Sequence, residues 1–105
     1  MKTLFICSGN VARSQIAEAY YNHFTKTKNA FSAGTNPNTP RLYPKIPTEL
    51  CKIMKEEGID ISNQKVKLIT EKMVKDARKI YIICEKEACP DFLLNSNKIT
   101  FWNIK

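Results

Sequence analysis

The chain lacks any long apolar run. Its longest, Ile80 to Cys84, is five residues, far short of the roughly 20 that span a bilayer, so no membrane helix is expected. Ahead of Ser8, Gly9, Asn10 and Arg13 there is only a short apolar stretch from Leu4 to Cys7. That is too short and too quickly polar for a signal peptide, and a cytoplasmic location with reduced thiols is expected. Tight cysteine pairs are also missing. The four cysteines stand at 7, 51, 84 and 89, only Cys84 and Cys89 are close, and no histidine follows that pair, so no zinc ligand set is expected. Catalysis, redox work or packing is expected of these thiols rather than a disulfide framework. Carboxylates are scarce in the front half, where Glu18 alone faces six basic residues up to Thr48. No internal repeat, low-complexity tract or second domain is visible.

The 105 residues are 43% apolar and 26% charged, with a net charge of +7. That is one globular domain, residues 1–105, able to bury roughly 60–70% of its unfolded surface. The basic front half suits phosphate, other oxyanions or nucleic acid. Nucleic acid is the weaker fit, because no basic helix, aromatic stacking platform or named motif accompanies the charge.

Lys2 to Cys7 reads as a short buried strand ending in a Ser-Gly-Asn turn. A helix capped by Ser14 follows, with Ile16, Tyr20 and Phe24 as its apolar stripe, widened by Ala17 and Tyr21. Ala30 to Ala33 is a second strand closed by Gly34, and four prolines make Thr35 to Pro47 a loop. Thr48 is expected to cap a second helix with Leu50, Ile53 and Met54 inward and Gly58 as its stop. Ile59 to Lys67 reads as connection. Thr70 starts a third helix with Met73, Val74 and Ala77 inward, Ile80 to Cys84 is a strand covered on both faces, and Lys98 to Trp102 is the last strand. Strands alternating with helices predict a parallel α/β sheet with helices on both faces.

The stretch that carries chemistry is Cys7-Ser8-Gly9-Asn10-Val11-Ala12-Arg13-Ser14, between a strand and a helix. In open α/β sheets, ligands bind beyond the carboxyl ends of strands. Helix N-termini present free N–H groups to anions, and consecutive backbone N–H groups can fold around an oxyanion. Gly9 and Asn10 tolerate the positive φ that such a loop needs. Thiols at helix N-termini beside arginine ionise readily, and the thiolate is the nucleophile, which makes Cys7 the candidate. Arg13 offers a planar fork for two equatorial oxygens, and Ser14 can hydrogen-bond the sulfur. The implied chemistry is attack on phosphorus or arsenic through a covalent cysteine intermediate.

Phe5-Ile6-Cys7-Ser8-Gly9-Asn10-Val11-Ala12-Arg13-Ser14-Gln15-Ile16-Ala17-Glu18 resembles the N-terminal signature of the low-molecular-weight protein-tyrosine phosphatases, whose fold and loop the thioredoxin-coupled arsenate reductases share. The resemblance continues in Ser32-Ala33-Gly34-Thr35 and in Glu57-Gly58-Ile59-Asp60-Ile61-Ser62. It implies a flavodoxin-like parallel sheet of about four strands. It also implies Cys7 as nucleophile, Arg13 as oxyanion binder, Ser14 as the residue that tunes the thiolate, and Ser8 to Arg13 as the substrate cradle, with Asn10 holding its backbone. No cofactor or metal is implied. The substrate is then a phosphate-like anion or phosphotyrosine.

The sequence departs from that family in several places. Its general acid, an aspartate in a late Asp-Pro pair, has no counterpart, and the chain stops at Lys105, about where that loop is expected to begin. Proton donation to a leaving group supplies roughly 10²–10⁴-fold in rate, so turnover of ordinary esters is expected to be slow unless Asp91 substitutes. A shortened member of this kind is expected to expose an apolar patch near the first and last strands and to dimerise or be marginally stable. Gln15 stands where the phosphatases usually have proline and arsenate reductases often have glutamine. Cys84 and Cys89-Pro90 resemble the reductases' redox pair, two residues closer than expected, and that route requires a thioredoxin-like reductant. A non-catalytic oxyanion or phosphopeptide binder is the remaining reading. Cys51 and Trp102 are expected to pack, His23 to be uninvolved, Tyr43 to stand near the substrate mouth, and Lys65 and Lys67 to be solvated.

Overall fold

The computed structural model describes residues 2–7, 13–36, 46–61, 64–83 and 89–102. Four strands, β1 (Lys2–Cys7), β2 (Ala30–Gly34), β3 (Ala77–Ile82) and β4 (Ile99–Phe101), alternate with helices α1 (Arg13–Thr25), α2 (Thr48–Glu56), α3 (Glu71–Asp76) and α4 (Asp91–Leu94). The sheet is wholly parallel, in the order β2-β1-β3-β4. The chain leaves β1 to one side to form β2 and then passes β1 to form β3. Right-handed crossovers place the connecting helices of such reversed steps on opposite faces. That is the arrangement here, the flavodoxin-like order, with its switch point between β1 and β3.

One face of the sheet carries Leu4, Ile6, Ala33, Ile80 and Ile82, packed with Val74 of α3 and Leu93 of α4. Isoleucines 6, 80 and 82 are fully buried, as β-branched residues in a covered parallel sheet should be. The opposite face receives α1 over β1 and β2. A second cluster, with Met54, Ile59, Ile61 and Val66 around Ala19, seats α2 and these three residues after it against α1. β2 is an edge strand, and the residues that turn their backbone outward are protected. The Asn22 side chain takes both the N–H and the C=O of Ala30. The stretch Lys67–Ile69 takes those of Gly34, whose N–H donates to Lys67 at 2.7 Å and whose C=O accepts from Ile69 at 2.8 Å.

Several expectations are corrected. The deepest face of α1 is not the aromatic stripe but Ser14, Gln15, Glu18 and Ala19. Ile16 and Tyr20 are half-buried and Phe24 is 73% exposed, stacked on Tyr20. Thr48 does not cap α2: Pro47 holds that position, with no side-chain bond. Ile53 is exposed, while Met54 is buried and Leu50 half-buried. Thr70 does cap α3, its hydroxyl accepting from the N–H of Met73, but Ala77 already opens β3. β3 is not equally covered on both faces. Tyr81 is half-buried on the α1 side, stacked between Phe5 at 5.6 Å and Trp102 at 4.6 Å. Phe24 and Trp102 are exposed and border one cavity with Phe5, Tyr20 and Tyr21, while the exposed Phe101, in register with Ile82, lies on the opposite face. Gly58, at φ +81°, ends the α2 turn where an L-side chain would be strained. α4 is an element that the periodicity does not show.

Candidate active site

β1 delivers Cys7 to the carboxyl rim of the sheet at the switch point, beside β3. α1 begins six residues later at Arg13. Ser14 therefore lies inside the first turn rather than at the cap, and its hydroxyl is 2.9 Å from Cys7 Sγ. Both residues are buried, Cys7 at 4% exposure and Ser14 at none. The Cys7 carbonyl accepts from Thr35 at 3.0 Å, which ties the rim of β1 to the end of β2. Arg13 is exposed, and its Nη1 donates to the Ile83 carbonyl at 3.2 Å. Ile83 N–H in turn donates to Ile6 at 2.7 Å. The arginine is thus anchored to the end of β3 from the start of α1, with guanidinium N–H donors beyond that contact. Ser8, Gly9, Asn10, Val11 and Ala12 lie outside the described residues, as do Tyr43 and Cys84.

A polar network backs this turn. Gln15, fully buried, donates through Nε2 to the Lys65 carbonyl at 2.8 Å, and its Oε1 accepts from Gln64 at 2.6 Å. One turn on, Glu18 accepts from the Ser32 hydroxyl at 2.7 Å and faces Lys67 Nζ at 3.8 Å. These partners are why α1 turns a polar face inward: each buried group is bonded, so burial is tolerated. The signal in the sequence is Ser14, Gln15 and Glu18 at one-face helical spacing, but their partners lie up to 50 residues away. Lys67 is accordingly not a solvated charge.

Burial holds the Lys67 ammonium below its ordinary 10.5, although Glu18 pulls it upward. The unfolded chain then binds that proton more tightly, so this group's contribution to stability improves as pH rises from the lowered value toward 10.5. Glu18→Ala is expected to destabilise by roughly 1–3 kcal/mol at neutral pH, leaving a half-buried cation without its anion. Near pH 10.5 the neutral amine needs no anion, and the deficit shrinks. Urea denaturation at the two pH values checks this, and an equal deficit at both contradicts it.

The other expected residues are dispersed. Cys89 is half-buried and packs against the cluster on the α3–α4 face of the sheet. Asp91 is exposed at the first position of α4. His23 is exposed, edge-on to Phe24, ten residues along α1 from Arg13. That is about 15 Å of helix. Cys51 packs on the second cluster, and Trp102 packs on Phe5 and Tyr81. Lys65 is exposed, and only its carbonyl takes part in the Gln15 contact. No group of three or more His, Cys, Asp or Glu suited to a metal occurs among the described residues.

The comparisons with known proteins agree with this geometry. A family model described as low molecular weight phosphotyrosine protein phosphatase matches residues 2–99. An arsenate reductase of Staphylococcus aureus is 35% identical over 97 residues, covering 90% of this chain and 70% of its own length. The Vibrio vulnificus Wzb structure in complex with benzylphosphonate superposes with a TM-score of 0.82 at 24% identity, over 95% of this chain and 71% of that one. The low molecular weight protein tyrosine phosphatase of T. tengcongensis gives a TM-score of 0.72 at 28% identity, over 96% and 72%. With the family model matching residues 2–99 and a relative 35% identical over 90% of the chain, the chain belongs to the low-molecular-weight phosphotyrosine protein phosphatase family.

Proposed function

We propose that the protein is a cysteine-dependent phosphatase that hydrolyses a phosphomonoester through a phosphocysteine. The observation that carries this reading is Cys7 Sγ held 2.9 Å from Ser14 Oγ at the switch point, with Arg13 on the same first turn. The Cys7 thiolate attacks phosphorus, the S–P bond forms, and the ester oxygen leaves with its electron pair. Arg13 and the backbone N–H groups of Ser8 to Ala12 stabilise the equatorial oxygens, and the Ser14 hydroxyl donates to sulfur. Water then attacks phosphorus, the S–P bond breaks, and phosphate and thiolate are released. With no assigned general acid, leaving groups that need no proton are turned over fastest.

A second reading is arsenate reduction, favoured by curated relatives that bear the name arsenate reductase at 35% identity and by the buried Gln15. There the Cys7 thiolate adds to arsenic as an arsenate oxygen leaves as water, and a second thiol, Cys84 or Cys89, attacks the Cys7 sulfur and breaks the S–As bond, whose electron pair stays on arsenic. Arsenite leaves, two thiols are oxidised to a disulfide, and a thioredoxin-like dithiol reduces it.

Cys84→Ser and Cys89→Ser separate the two. Hydrolysis of p-nitrophenyl phosphate is expected to stay within about twofold of the parent in both variants. Arsenate reduction, if it is the activity, falls at least about a hundredfold in either. Binding of vanadate without turnover of either substrate would identify a non-catalytic oxyanion binder and overturn both readings.

A further inference from the structure

A cavity of about 240 Å³ opens beside α3. Its lining includes Lys2, the first residue of β1, and Ala77, the first of β3. Because the strands are parallel, Lys2 and Ala77 put one side of it at their amino ends, while Lys67 stands beside Gly34 at the far end of β2. Cys7 is five residues along β1 from Lys2, roughly 16 Å away. Leu4, Phe31, Met73 and Ala77 make its apolar floor. Leu4 and Ala77 are already covered, at 2% and 4% exposure, whereas Phe31 is 40% exposed and Met73 half-buried, so Phe31 and Met73 supply most of the apolar surface that faces this space.

Its rim is cationic. Lys2, Lys67 and Lys72 line it together with Asp76. The Lys2 ammonium lies 5.1 Å from the centre of the Phe31 ring. Lys67 lines it too, its Nζ paired with Glu18 at 3.8 Å and donating to the Lys65 carbonyl at 2.9 Å, and Lys72 bonds Asp76 at 2.9 Å in an exposed pair. Three ammonium groups against Asp76 and Glu18 leave the rim one positive charge in excess. The Asp76 carboxyl is held below its ordinary range first by its hydrogen bond from Lys72 and then by Lys72, Lys2 and Lys98 as charges, so the positive field reaches across the rim.

We propose that this cavity binds a small amphipathic monoanion, an aryl or short alkyl carboxylate. Its apolar body rests on Leu4, Phe31, Met73 and Ala77, and its carboxylate lies among Lys2, Lys67 and Lys72. The volume is below the range of drug-sized pockets, which limits the body to about ten heavy atoms. Aromatic bodies are favoured, because Phe31 offers a ring and Met73 a sulfur to pack on. A bare phosphate leaves the floor empty, and a neutral analogue leaves the rim unused.

The test is an amide-shift titration of the whole chain with phenylacetate, phenylacetamide and inorganic phosphate. Phenylacetate is expected to saturate at about millimolar concentration, moving the amides of Phe31, Lys72, Met73 and Ala77. Phenylacetamide should bind at least roughly tenfold more weakly. Lys2→Gln and Lys72→Gln, both at exposed positions, should each weaken phenylacetate roughly three- to fivefold while the remaining shifts show an intact fold. Phosphate should move Arg13 and Ser14 and leave the cavity amides still. Equal binding of phenylacetate and phenylacetamide overturns the proposal. So do shifts confined to Arg13 and Ser14 that excess phosphate abolishes, and so does the absence of saturable shifts at Phe31 and Met73.

Discussion

Cys7→Ser is expected to lower kcat for p-nitrophenyl phosphate by about 10⁴-fold or more. The substitution exchanges sulfur for oxygen at a position 4% exposed, at the end of a strand paired on both sides, so the fold and the contact to Ser14 are retained. What is lost is the nucleophile, because a serine hydroxyl is a weak one without a base to take its proton. The chain's single histidine, His23, is exposed and ten residues along α1 from Arg13. Vanadate and phosphate should still bind to the variant, since their cradle is intact. Retention of more than about one hundredth of the parent rate in Cys7→Ser would place the chemistry elsewhere.

Arg13→Lys is expected to cost about 10²–10³-fold in kcat/KM, more in kcat than in KM. The guanidinium can keep its hold on the Ile83 carbonyl at 3.2 Å and still present a planar fork to two equatorial oxygens. A lysine keeps the charge but has a single nitrogen, so it serves either the carbonyl or the phosphoryl oxygens. Steady-state kinetics on p-nitrophenyl phosphate, with phosphate as competitive inhibitor, checks this. A Lys variant within about threefold of the parent would mean that charge alone is needed and that the fork and the Ile83 anchor contribute nothing.

The strands were legible in the sequence where burial is two-sided and local. Leu4 to Cys7 is an apolar run buried on both faces, and Ile80 to Ile82 is one whose isoleucines are fully buried on the α3–α4 face with Tyr81 half-covered on the other. The strand–loop–helix passage around Cys7 to Ser14 was legible for the same reason, since all of it is local. The inward face of α1 was not. Hydrophobic periodicity points to Ile16, Tyr20 and Phe24, whereas Gln15 and Glu18 are buried because Lys65, Gln64 and Ser32 bond them across the fold. The four residues of α4 are too few to carry a helical period. Ala77 sits at a junction where α3 passes into β3 without a turn residue, so the pattern alone assigns it to the helix. The cavity beside α3 was equally hidden, because Lys2, Phe31, Lys67 and Lys72 meet only once the sheet is built.

The most direct test of the account is to trap the covalent intermediate. A radiolabelled aryl phosphate is mixed with the enzyme, quenched in acid within the first turnover, and the labelled peptide is identified. Label is expected on Cys7, approaching one equivalent when dephosphorylation is slower than transfer, and none in Cys7→Ser. Hydrolysis that proceeds with no label on Cys7 at any quench time would contradict it.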